Sequence, residues 1–163
     1  HSLGAEDAHG ILQTRELPLL PELVKLEHVQ HRSTEELRKL SVTVLQRTLA
    51  FCPKQDPFAA FAARLAQDNV TQHGLAYWHK YAFATLRQCG SAFELARDYL
   101  QWLDPALQPI AEECEQIAHH SKTLILKGAR AANGKKSLDA KDALQAMGAH
   151  WQAVINALLA RFV

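Results

Sequence analysis

Apolar and small residues recur at Trp78, Ala82, Leu86, Cys89, Phe93, Ala96, Leu100 and Leu103, the three-four spacing that lines one face of a helix. The segment from Tyr81 to Leu103, YAFATLRQCGSAFELARDYLQWL, therefore reads as the centre of a long helix packed into a bundle, with several polar groups set among its apolar ones. The same spacing returns near the end of the chain, at Leu144, Met147, Trp151, Val154, Leu158 and Phe162.

Punctuation between these periodic stretches supplies the other boundaries. Ser33 with Glu36 forms a capping box that predicts a helix from Thr34 to Cys52, stopped by Pro53. Asp56 followed by Pro57 gives an N-cap and an N1 proline for a second helix, to His73, with Gly74 as its stop. A third follows from Leu75 to Leu103. Asp104-Pro105 repeats the cap-and-proline signal for a fourth, ending at Ala132 before Asn133-Gly134. Ser137 to Asp139 opens the last helix, which runs to the C-terminus. Short connections favour antiparallel neighbours, so the predicted fold is an all-α, up-and-down bundle of four to five helices over residues 33–163.

Residues 1–32 look different. Ile11 to Val29 contains LPLLPELVKLEHV, whose two prolines predict an extended or strand-like segment, and a lone strand needs a partner sheet. His1 stands where an initiating Met would be, and no basic-then-apolar leader follows it. The expectation is a piece of a longer protein, with residues 1–32 as the remnant of a preceding domain.

Composition narrows the function classes. At 163 residues and 48% hydrophobic, the chain can bury a core of its own. A net charge of +1 gives no global electrostatic reason for a nucleic-acid partner, and the apolar runs are too short to span a membrane. Three cysteines, without CxxC spacing, fit a reduced cytoplasmic protein.

Motifs that suggest chemistry are incomplete. IAHHSKTLILKGARAANG has the flavour of a histidine phosphotransfer helix, but the position three before Lys127 is Leu124, and His120 lies seven before it, about 10 Å along a helix. Glu115 and His119 are four apart, and His28 and His31 three apart, with no second Glu-x-x-His half, so no metal or cofactor is expected. Cys89 beside Gly90 reads as a small buried residue at a close helix approach rather than a nucleophile. The polar set on the long helix is the candidate binding site. Arg87 and Glu94 are seven apart on one face, and Tyr81 and Gln88 are seven apart on the adjacent one. A register-setting ion pair and a ligand or partner contact both fit that set. Arg32, Arg38, Lys39 and Arg47, with Lys54 beyond, form a basic strip open either to solvent or to an acidic helix.

YAFATLRQCGSAFELARDYLQWL, with DPFAAFAARLAQD before it and AKDAL and Trp151 after it, resembles the C-terminal helical half of an uncharacterised bacterial family. That family is associated with gene neighbourhoods encoding amino acid:carrier-protein ligases, truncated relatives of seryl-tRNA synthetase. LPELVKLEHV is similar to the strand that closes the family's N-terminal half, a papain-type cysteine domain with an early Cys and a later His. The resemblance implies a non-catalytic partner of that domain. It would dock, support or gate aminoacyl transfer or thioester hydrolysis on an acyl carrier protein. A free-standing helical enzyme or ligand-binding protein is the alternative.

Overall fold

Two Asp-Pro steps start two of the helical segments in the way their chemistry requires. Asp56 Oδ1 accepts from the Phe58 amide at 2.8 Å, and Asp104 Oδ1 accepts from the Ala106 amide at 2.9 Å. Each carboxylate satisfies an amide that has no partner inside its own helix. A computed structural model of the chain describes residues 29–163. The predicted extended segment over Ile11–Val29 lies outside them, apart from Val29 itself. No strand occurs among the described residues, which form an all-α bundle of five helices.

The helices are α1 (Thr34–Ala50), α2 (Pro57–Asp68), a continuous rod built of α3 (Leu75–Ala82), a π-turn (Phe83–Arg87) and α4 (Gln88–Leu103), then α5 (Gln108–Asn133) and α6 (Lys141–Phe162). Four ends depart from the sequence prediction: α1 stops at Ala50 rather than Cys52, α6 opens at Lys141 rather than within 137–139, and the end of α2 and the start of α5 also shift. α2 stops at Asp68 rather than His73, because Asn69 turns left-handed (φ 45°) and Val70–His73 follow as a 3₁₀ turn that Gly74 ends at φ 87°. Asparagine tolerates that conformation better than most side chains. Pro105–Leu107 form a 3₁₀ turn, and α5 proper begins at Gln108 with Pro109 in its first turn, where a missing N–H costs nothing. α5 ends at Asn133 with Gly134 as its C-cap, as predicted, and the left-handed residue of the closure is the next one, Lys135. Lys135 takes φ 50°, its amide donates to Ala132 O, and the Lys136 amide donates to Ala131 O at 2.9 Å.

The π-turn resolves a conflict of phase. Trp78, Ala82, Leu86 and Gly90 are all buried, one every four residues. At about 100° per residue, three such steps overshoot whole turns by about 120°, which would carry the apolar stripe off the core. A π-turn spends one extra residue and so returns about 100° of that drift.

Two clusters make up the core. In the first, Trp78 is wholly buried among Leu86, Leu124, Leu144, Met147 and Trp151, and its Nε1 donates to Ile125 O on α5 at 3.1 Å. Gly128 permits this: a Cβ there would stand 1.9 Å from Trp78 Cζ2. Gly148 plays the same part for Asp56, whose Oδ2 would lie 2.3 Å from an added Cβ. In the second cluster, Leu100, Leu103, Leu107, Ala111, Cys114, Val154 and Leu158 join α4, α5 and α6, and Leu49 is the one buried residue that α1 adds. Gly90 meets the sequence reading, since it brings α4 to within 3.2 Å of Ser121 Cβ, measured from an added Cβ, whereas Cys89 is only partly buried.

α1 is attached by Leu49, by the partly buried Val42 and Leu45, and by polar side chains. Ser41 Oγ and Tyr99 OH are 2.7 Å apart, Gln46 Nε2 donates to Phe162 O at 2.7 Å, and Arg38 Nε donates to Trp102 O at 2.8 Å while its guanidinium lies over the indole. This divides the basic strip: Arg38 turns inward, Lys39 pairs with Glu35 at 2.8 Å, and Arg47 and Lys54 have no carboxylate partner among the described residues.

Candidate functional site

Beside the π-turn the bundle opens an aromatic-walled cleft of about 400 Å³. α2 supplies Phe58 and Phe61 behind Pro57, the π-turn supplies Thr85 and Leu86, α4 supplies Cys89 and Phe93, and α6 supplies Trp151. Phe58 and Phe93 face each other with centroids 6.3 Å apart and planes tilted by 41°. Among the described residues, no carboxylate, ammonium, guanidinium or imidazole lines this space. The polar side-chain groups of its lining residues are the Thr85 hydroxyl, the Cys89 thiol and the Trp151 indole N–H. Thr85 Oγ1 donates to Tyr81 O at 2.7 Å, which leaves its lone pairs as acceptors. Burial pushes the Cys89 thiol above its ordinary pKa, against a smaller lowering by its contact with Ser121 Oγ. A thiol held protonated is a weak nucleophile.

The four residues singled out in the sequence occupy different surroundings. Tyr81 stays with the aromatic group, stacked 6.4 Å from Phe61 and 6.1 Å from Trp78, and burial raises its phenol pKa, with a further rise from Asp68. Gln88 is exposed. The π-turn lies between them, so a separation of seven residues turns through about 100° less than in a regular helix. Arg87 and Glu94 do share a face, together flanking a notch of about 10 Å³. Glu94 pairs with Lys122 across the α4–α5 seam at 2.5 Å, and that hydrogen bond, more than the charges of Arg87 and Arg97, holds its carboxyl below the usual range. Arg87 is exposed and forms no ion pair among the described residues.

Further along the seam, Arg97 donates to Asp98 at 2.7 Å and reaches Glu115 at 3.5 Å, bordering an ionic groove of about 270 Å³ that His119 also lines. Sequence spacing did not reveal Lys122 as the partner of Glu94, because the two lie on different helices.

A histidine cluster also escaped the sequence reading. His150 Nδ1 on α6 meets Glu113 Oε2 on α5 at 2.6 Å, and the His120 ring stacks 5.9 Å from His150. Burial lowers the His120 pKa, helped by His150, His119 and Lys127. Among the described residues no three His, Cys, Asp or Glu side chains converge on a point that would hold a metal ion. Cys114 is wholly buried, and burial, with Glu113 nearby, pushes its thiol up to about 11.

Comparison with known proteins adds a family. No curated protein and no solved structure matches the chain. The DUF1839 C-terminal domain matches residues 34–160, the whole of α1 to α5 and nearly all of α6, in agreement with the expected likeness to the C-terminal helical half of a family of unknown function. The chain thus belongs to the DUF1839 family, through its C-terminal domain.

Proposed function

We propose that this chain is a helical docking module, which acts by binding a partner domain or protein rather than by carrying out a reaction alone. The observation behind this reading is the outer face of α1. Leu37, Leu40 and Val44 are 45%, 48% and 61% exposed and follow one another at intervals of three and four on the side of α1 away from Leu49, and Phe51, just past the end of α1, is 88% exposed. Contiguous apolar surface of this kind marks interaction sites. Arg47, without a carboxylate partner among the described residues, stands beside it, as an acidic or mixed partner surface would require. Its cysteines support a binding role too, since burial holds Cys89 and Cys114 as thiols.

The family description gives the domain a C-terminal place, so a domain preceding it in family members is the first candidate partner. In the finer reading, that assembly handles amino acids bound to an acyl carrier protein, by aminoacyl transfer or thioester hydrolysis, and the carrier is the second candidate. Leu40→Asp combined with Val44→Asp tests the proposal. Calorimetric titration of the unsubstituted chain with a family N-terminal domain and with a carrier protein should give binding to at least one. The double variant should keep its helical circular dichroism and lose that binding. Binding that survives the double substitution, or no binding to either partner, would sink the docking role.

A further inference from the structure

We infer that the aromatic cleft beside the π-turn is a binding site for a small, uncharged aromatic molecule carrying one hydroxyl or N–H donor. The volume suits such a ligand. An apolar cavity of about 150 Å³ accommodates benzene, and ligand sites begin near 300 Å³; this one has about 400 Å³. Four aromatic side chains from α2, α4 and α6 form its walls, and the edges of Phe61 and Phe93 remain half-exposed. Offset and tilted ring contacts of the kind that Phe58 makes with Phe93 extend naturally to a further ring placed beside the pair.

The chemistry of the lining sets the class. A charged ligand would give up its hydration without gaining a countercharge, at a cost of several kcal/mol. Among the described residues, Thr85 is the one hydroxyl in the wall, and its proton is committed to Tyr81 O. Its oxygen therefore accepts, so the ligand group that meets Thr85 must donate. The second observation is the π-turn itself. Such turns recur at functional sites, and here the widened segment contributes both Thr85 and Leu86 to the cleft. A regular helix would rotate those side chains relative to Cys89 and Phe93.

Titration of the chain with p-cresol, toluene and p-hydroxybenzoate, followed by amide chemical shifts, tests the site. Saturable shifts are expected with p-cresol, centred on residues 57–61, 85–93 and 151. Toluene should bind roughly three- to tenfold more weakly, the worth of one hydrogen bond. The p-hydroxybenzoate anion should be weaker still. Thr85→Val should bring p-cresol down to the level of toluene, and Cys89→Leu, which fills the cleft, should weaken both. The inference fails if the folded unsubstituted chain shows no saturable p-cresol shifts, if the shifts map elsewhere, or if the anion binds as well as p-cresol. Those comparisons on the unsubstituted chain decide the matter even where a variant does not fold. p-Cresol binding should persist in the Leu40→Asp, Val44→Asp double variant, so its loss is separable from loss of docking at α1.

Discussion

Around Trp78 the chain brings backbone and ring into direct contact, with Gly128 leaving no room for even a methyl group, whereas α1 rests on the other end of the bundle through one buried residue, Leu49, the partly buried Val42 and Leu45, and a few polar side chains. The first arrangement is specified by shape. The second leaves half of a helix's apolar surface facing water, a state that persists only because the inner attachments suffice. Regions of low local stability tend to be those that meet partners, and α1 has the character of such a region.

The sharpest way to break this contrast is Gly128→Ala. Because the added Cβ falls 1.9 Å from a buried ring that also donates to Ile125 O, neither Trp78 nor α5 can yield cheaply. A loss of about 3 kcal/mol in urea denaturation is expected. A loss below about 1 kcal/mol would mean that the Trp78 end is far more compliant than its packing implies.

The two faces of α1 give the next test. Leu49→Ala should cost about 2 kcal/mol, at the low end for a buried leucine because α1 can settle toward the vacated space. Leu40→Ala should stay within about 0.5 kcal/mol, as an exposed substitution does. Equal losses at both positions would remove the distinction between an anchored and an open face.

The smallest effect is expected from His120, which stacks on His150 across the α5–α6 seam. Its folded pKa lies below the unfolded value near 6.5, through burial first and the charges of His150, His119 and Lys127 second. The unfolded chain therefore takes up the proton first on acidification. The contribution of the neutral ring is complete above that unfolded value and falls as pH drops from it toward the folded one. His120→Gln should flatten the decline in melting temperature between about pH 7 and pH 5. An unchanged or steeper decline would remove His120 as a source of the acid sensitivity.

Local chemistry made the helices legible in advance. Asp56-Pro57, Asp104-Pro105 and Gly74 act where they stand, through bonds to residues two or three away, so a reader of the sequence can place them. The π-turn was half legible: the four-residue beat of Trp78, Ala82, Leu86 and Gly90 announces a phase problem, yet not where the extra residue is spent. Contacts between distant parts of the chain were not legible. Gly128 reads as a helix-weakening residue until Trp78, fifty residues earlier, is placed against it. Likewise Arg87 and Glu94 read as a pair from their spacing, while the partner of Glu94 is Lys122 on α5. Aromatic residues of α2, α4 and α6 could each be assigned to a core, but only their placement around the π-turn makes a cleft.

The three tryptophans occupy three kinds of surroundings, which equips the molecule with its own optical labels. Trp78 is sealed and donates to a backbone carbonyl, Trp151 borders the aromatic cleft, and Trp102 lies 37% exposed under Arg38 of α1. Their emission should therefore separate by colour and by access to acrylamide, with Trp102 the most readily quenched and Trp78 the least. Release of α1 would be seen as a change in Trp102 alone, occupation of the cleft as a change in Trp151, and only global unfolding would bring Trp78 into water.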